Sequence, residues 1–380
     1  MNCNKVDLSI LPSPCYIIDC DILKKNLLTL MKNCTFLGIK PLISIKGFPL
    51  ALLFKDMAPY VYGLSASSPF EARLGEHLGK EIHIHAPAYK ANDIIEVFTR
   101  CDYVNFNSLS QWAQYKHILY KVPNRPHIGL RINPEYSEIN IDKYNTCIPY
   151  SRFGVTQSNL INQDISGIDG FHLHVMCDNS AETFARVIEH VIDKFGTYLP
   201  NLKWINLGGG QCLADKNYPT ASLKKSINKL TIDYGLEVYV EPCEAIITDC
   251  GYLVSTVLDI VNNQKQTAIL DTSALCHMPD VLEMPYRPDI EYPSVVNSGK
   301  YNYILAGVSC LAGDIIGEYH FNTPISLGDK IVFSEMGAYT FSKENYFNGI
   351  NHPTIVLYDH INSFRIVKQF NYQDYESKYI

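Results

Sequence analysis

The chain has 380 residues, of which 47% are hydrophobic and 19% charged, and its formal net charge is −7. That is the balance of a folded globular protein, and the negative charge excludes non-specific nucleic-acid binding, which needs clustered Lys and Arg to neutralise phosphates. No stretch approaches the roughly 20 apolar residues of a membrane span, so no membrane partner is expected. The opening Met1-Asn-Cys-Asn-Lys-Val-Asp-Leu8 shows no basic region followed by an apolar core, so no secretory signal is expected. The 12 cysteines are scattered and form no Cys-x-x-Cys pair. Reduced thiols in a cytoplasmic protein are therefore expected, rather than a disulfide framework or structural zinc.

Short β-rich runs alternate with helix-like stretches up to about residue 262, the rhythm of parallel βα units. The expected strands are Pro41–Lys46, Val61–Ser65, Glu81–Ala86, Tyr103–Asn107, His127–Asn133, Gly170–Met176, Trp204–Leu207 and Glu237–Glu241. Between them, Ser68-Pro69-Phe70-Glu71 offers an N-cap followed by Pro at the first helical position. Ser180 to Phe195 carries apolar residues at close to helical spacing. Eight units predict a closed (β/α)8 barrel of the TIM type rather than an open sheet. Such a barrel takes roughly 250 residues, which leaves ~130 for something else.

After residue 262 the long helical patterns vanish. The runs Gln266–Leu270, Tyr303–Ala306, Lys330–Phe333 and Thr354–Leu357, with the turn signal Gly328-Asp329, predict an antiparallel β domain. The expected division is a barrel over 25–262 and a β domain built from 1–24 and 263–380.

Barrel active sites sit at the C-terminal ends of the strands, so reactive side chains are expected there. The first ends at Lys46, whose amine could form a Schiff base with an aldehyde cofactor. The sixth carries His172 and His174, and the seventh ends in Gly208-Gly209-Gly210, a triplet that leaves backbone N–H groups open to a phosphate. The eighth ends at Glu241, a carboxylate that could keep a cofactor ring nitrogen protonated. Each residue also has a plain structural reading: a solvated lysine, a packed histidine, a tight turn, a capping glutamate. The pairs His83/His85 and His172/His174 each share a strand face, but packing is the expectation for the first, and no metal site is expected. In the β domain, Cys310 near Asp314 reads as a proton donor or as a small buried hydrophobe.

Taken together, the chain resembles the ornithine and diaminopimelate decarboxylase superfamily, enzymes of fold type III, and within it the carboxynorspermidine decarboxylase branch. The resemblance runs through Pro12-Ser-Pro-Cys-Tyr16, 67–75, Gly129-Leu-Arg-Ile-Asn-Pro134, Tyr150-Ser-Arg-Phe-Gly154, 277–288, Ser309-Cys-Leu-Ala-Gly-Asp314 and Phe347-Asn-Gly349. The 277–288 and 309–314 segments are the most specific of these.

The resemblance implies pyridoxal 5′-phosphate bound at Lys46, with His174 stacked on its ring, Glu241 at the pyridine nitrogen and Gly208, Gly209 and Gly210 around the phosphate. Tyr339 and Arg152 match residues near the cofactor. Cys310 matches a cysteine supplied by the other subunit of a homodimer with shared sites. The implied reaction is decarboxylation of carboxynorspermidine and/or carboxyspermidine, with Asp178, Asp280, Glu283 and Asp314 as candidates for the substrate's ammonium groups. Other readings are a decarboxylase of diaminopimelate or ornithine, and a catalytically silent relative. Three positions depart from the family pattern. Gln211-Cys212 stands where two histidines are usual, Cys243 where glycine follows Glu-Pro, and Asp178 where glutamate follows the cysteine.

Overall fold

The computed structural model describes residues 7–361 and 363–380, so the first six residues, assigned above with the β domain, lie outside them. The chain divides into two compact units, 26–246 and a second built from the segment ending at Lys25 together with 247–380.

The first unit is the expected barrel. Its eight strands are Lys40–Ser44, Gly63–Ala66, Glu81–His85, Tyr103–Phe106, His127–Asn133, Gly170–His172, Trp204–Asn206 and Glu237–Val240. Each pairs in parallel with the next, and the eighth closes on the first through Tyr239↔Lys40 and Val240↔Pro41. Several strands stop short of the expected ends, so Lys46, His174, Leu207 and Glu241 stand in the loops that follow. The helix expected from residue 180 runs Ala181–Phe195, capped by the Ser180 hydroxyl, and buries Phe184, Val187, Ile188, Val191 and Phe195 along one stripe. Ser68 caps Pro69–Gly75 in the same way.

The barrel interior is filled by side chains, not open. Leu42, Tyr103, Trp204 and Tyr239 form one buried cluster, and His83 stacks on Tyr103 at 4.0 Å. Gly170 makes room for Trp204: a Cβ there would lie 2.2 Å from the indole ring. His83 is thus a packed barrel residue, as expected.

The second unit is a ten-stranded sheet. It is mostly antiparallel, but two pairings are parallel, Cys15–Asp19 with Thr354–Asp359 and Lys265–Leu270 with Tyr301–Ala306. The expected boundary at 262 needs correction to 246/247. Gly251–Asn263 is one long strand of this sheet, paired with Cys15–Asp19, Lys330–Phe333 and Lys265–Leu270, and cutting at 262 would sever it. Cys15–Asp19 is buried on both faces: Tyr16 enters one apolar cluster with Leu253, Tyr303 and Phe333, while Ile17 enters another with Val254, Val332 and Val356. Successive strand residues face opposite ways, so a strand covered on both sides reads as continuous apolar sequence and shows no alternation.

Candidate active site

The C-terminal ends of the barrel strands bring four of the expected elements together. Glu241 is 6% exposed. Its Oε1 accepts from Asn206 Nδ2 at 2.8 Å and lies 3.6 Å from His172 Nε2. Burial alone would raise this carboxyl, but His172 and the positive charge of Lys46 outweigh it and hold Glu241 below the ordinary carboxylate range. The carboxylate is therefore ionised, dry and oriented. The positive charge of Lys46 acts on His174, Glu241 and Cys243.

His174 follows the sixth strand. Burial, then the charges of Lys46 and Arg131, push its imidazole well below the usual value. Its Nδ1 accepts the Gly209 N–H at 2.9 Å, which leaves the proton of the neutral ring on Nε2.

The glycine triplet has a packing reason as well as an electrostatic one. A Cβ at Gly208, Gly209 or Gly210 would lie 2.4 Å from Leu173 O, 2.5 Å from Glu241 O or 2.3 Å from Met176 O respectively. Gly208 and Gly210 also adopt positive φ, +69° and +93°. Glycine thus lets this loop nest between the sixth and eighth strand ends. The Gly208 N–H donates to Asn206 Oδ1 at 2.9 Å, so two of the three N–H groups already serve the protein's own groups.

The fit to an aldehyde cofactor rests on this donor set: a lysine amine, an ionised carboxylate kept from solvent, a neutral imidazole and a loop with no side chains. Among the described residues, no cluster of His, Cys, Asp and Glu is arranged to hold a metal.

Arg152 is exposed and lies over the Phe153 ring at 4.3 Å. Asp178 is exposed, in a left-handed conformation with φ 48°. The other expected residues belong to the β unit. Cys310 is exposed, and its N–H donates to Asn348 Oδ1 at 2.8 Å. Asp314 is 2% exposed and accepts from the Ser273 hydroxyl at 2.8 Å and the Ser309 N–H at 3.2 Å. Its carboxylate ties the loop carrying Cys310 to the start of the 274–277 helix, which is a structural task rather than an open ammonium site. Asp280 and Glu283 both pair with Lys343. Tyr339 is partly buried, with φ 57°.

Two residues of the site, Arg131 and Asn206, were not singled out from the sequence, and His172 was named there without its partners. Arg131, His172 and Asn206 stand in register on adjacent strands, Arg131↔His172 and His172↔Asn206. Arg131 is buried; one guanidinium nitrogen meets His85 Nε2 and the other donates to His174 O at 3.3 Å. Burial pushes Arg131 down to about 10. His85 stacks on His172 at 4.6 Å, so it lines the site rather than the core below. The signal existed: Gly129, Arg131 and Asn133 share one face of an otherwise apolar strand.

The family model described as pyridoxal-dependent decarboxylase, C-terminal sheet domain, matches residues 15–337. The chain is 36% identical to the carboxynorspermidine/carboxyspermidine decarboxylase of Campylobacter jejuni, covering 96% of this chain and 97% of that protein. It is 37% identical to the carboxyaminopropylagmatine decarboxylase of Synechocystis, covering 98% and 96%. The crystal structure of the Campylobacter jejuni carboxynorspermidine decarboxylase, complexed with norspermidine, superposes with a TM-score of 0.89 at 35% identity, covering 97% of this chain and all of that one. Diaminopimelate decarboxylase from Helicobacter pylori, at 17% identity and a TM-score of 0.83, shares the fold. Full-length similarity of this degree, joined to the strand-end geometry, makes the chain a member of the pyridoxal-dependent decarboxylases, an enzyme whose cofactor is pyridoxal phosphate.

Proposed function

We propose that this enzyme decarboxylates a carboxylated polyamine, carboxynorspermidine and/or carboxyspermidine, in polyamine biosynthesis. The observation that carries the chemistry is the buried, ionised Glu241 held by Asn206 and His172 and acted on by the charge of Lys46. Pyridoxal phosphate, when bound, supplies a sink for the electron pair left as CO2 departs. Lys46 is the residue whose amine would hold the cofactor. Glu241, ionised in a dry site, would keep the proton on the pyridine nitrogen. His174 would cover the ring, and the Gly208–Gly210 loop would lie against the phosphate. Cys310 returns a proton to the α-carbon.

The substrate class rests on the full-length relatives, and the Synechocystis relative adds a second reading, carboxyaminopropylagmatine, whose distal end is a guanidinium. CO2 release should be measured with carboxynorspermidine, carboxyspermidine, carboxyaminopropylagmatine, diaminopimelate and ornithine. Turnover of a carboxylated polyamine at least about tenfold above the rest, in kcat/KM, is the expected result. Preference for the agmatine derivative, diaminopimelate or ornithine overturns the assignment. Absence of a cofactor absorbance band, with no turnover of any substrate, supports the silent relative instead.

The active unit in this reading is a cytoplasmic homodimer in which Cys310 of each subunit serves the neighbouring barrel. Two features support it: Cys310 is exposed on a loop whose Val308 and Leu311 are also exposed apolar residues, and the described cysteines are all free thiols.

A further inference from the structure

The Cys243 thiol lies where the ends of the first and eighth barrel strands meet. Lys46 is the third residue of a turn from Ser44 to Gly47, closed by the Gly47 N–H to Ser44 O at 3.2 Å. The same carbonyl lies 3.1 Å from Cys243 Sγ. A carbonyl oxygen has two lone pairs, so it accepts both donors. Cys243 is 4% exposed, and its backbone is anchored in turn. Its N–H donates to Glu241 O at 2.8 Å, and the Glu241 N–H donates to Gly208 O at 2.8 Å. One chain of contacts therefore runs from the glycine loop through the Glu241 strand end to the turn that carries Lys46.

The strand ladder does not supply this connection. Pairing between the eighth and first strands covers Tyr239↔Lys40 and Val240↔Pro41. Ser44, four residues beyond Lys40, is paired on its other side, with Ser65. On the Glu241 side the thiol reaches the turn beyond the end of the ladder.

We propose that Cys243 is a positioning residue for Lys46: its thiol donates to the Ser44 carbonyl and fixes the lysine-bearing turn against the strand end that carries Glu241. The proposal rests on the reading of Lys46 as the cofactor-bearing residue. Burial pushes the thiol up to about 12, so it keeps its proton at neutral pH and acts as a donor. A protonated, buried thiol is also a poor nucleophile, so it does not compete with the lysine amine for an aldehyde. An S–H···O contact is weak. Its effect therefore falls on the placement of Lys46, where a small displacement is costly, and not on global stability.

The test compares the holoenzyme with Cys243→Ala, which removes the donor, and Cys243→Ser, which keeps one. In Cys243→Ala, kcat should fall about tenfold with KM within about twofold, while Cys243→Ser should stay within about threefold of wild type. Hydrogen–deuterium exchange should accelerate at Ser44–Phe48 in Cys243→Ala and remain unchanged in the other barrel strands. A merely structural cysteine would loosen the barrel throughout, and serine would not rescue it. Alanine and serine variants that behave alike, or unchanged exchange at Ser44–Phe48 in the alanine variant, overturn the proposal. Should Cys243→Ala not fold, wild-type exchange decides. The Gly47 amide should exchange as slowly as amides of the neighbouring strands, and exchange at the rate of an open turn overturns the proposal. Borohydride reduction and peptide mapping on the same samples separate the two readings. A pyridoxyl label on another lysine removes the role of Lys46, whereas a label on Lys46 with a turn indifferent to Cys243 removes the clamp.

Discussion

Asn206 Nδ2 donates to Glu241 Oε1 across 2.8 Å, and neither side chain is more than 6% exposed. The amide holds one carboxylate oxygen in place without neutralising it, and Asn206 Oδ1 binds the Gly208 N–H at 2.9 Å. One asparagine thus aligns the carboxylate with the glycine loop.

Replacing Glu241 by Gln should lower kcat at least about thirtyfold, equivalent to ~2 kcal/mol of transition-state stabilisation, and move KM far less. The neutral amide cannot keep a ring nitrogen protonated, and that interaction matters most as charge develops. Asn206→Ala should lower kcat at least about tenfold by releasing a hydrogen bond to a charged group, worth ~1.5–3 kcal/mol. Steady-state kinetics checks both. Turnover of Glu241→Gln within about threefold of wild type would remove Glu241 from the chemistry.

Borohydride reduction of the holoenzyme should place the pyridoxyl group on Lys46 in the peptide containing Ser44–Phe48. Lys46→Ala should show no covalent label at all. Labelling of Lys40, at the start of the strand that precedes Lys46 and paired with Glu237 at 3.0 Å, or of any other lysine, contradicts the assignment.

Shared sites should be visible by complementation. Lys46→Ala and Cys310→Ala chains, each inactive alone, should regain up to about a quarter of wild-type activity after subunit exchange, because random pairing gives half mixed dimers with one intact site each. Exchange confirmed by mass spectrometry with no recovered activity would show that each chain works alone.

His277 gives a pH dependence with a definite sign. It is fully buried; its Nδ1 accepts the Ser273 N–H at 3.2 Å, and its Nε2 meets Asn351 O at 3.1 Å. Burial, opposed in part by the Asn351 carbonyl, pushes it down from 6.5 to about 4. The unfolded chain therefore binds a proton that the folded chain refuses between those values. Stability from this group is complete above pH ~6.5 and is lost as pH falls toward 4, with a span of about 3 kcal/mol. His277→Asn keeps the acceptor for Ser273 and removes the titration. Denaturant unfolding of this variant should be less steep in pH across that window, and an unchanged slope would show that other groups set the acid limit.

The barrel was legible because parallel βα units repeat as short apolar runs, and because the first, sixth, seventh and eighth of them are followed by chemically distinctive residues. Lys46, His174, Gly208 and Glu241 could be read in barrel order from sequence position alone, since a closed barrel places successive strand ends around one rim. The partners of those residues were not legible. Arg131, His172 and Asn206 meet through strand register, and Cys243 reaches Ser44 across the seam where the barrel closes, 199 positions away in sequence. The β unit shows the same limit. Cys15–Asp19 is buried on both faces and has no alternating pattern to announce it. Gly251–Asn263 runs straight past the point where the composition changes. Composition and periodicity determine which segments form strands and where reactive side chains cluster along the chain. Which atoms hold those side chains depends on contacts between segments far apart in sequence, and only the closed barrel and the assembled sheet decide them.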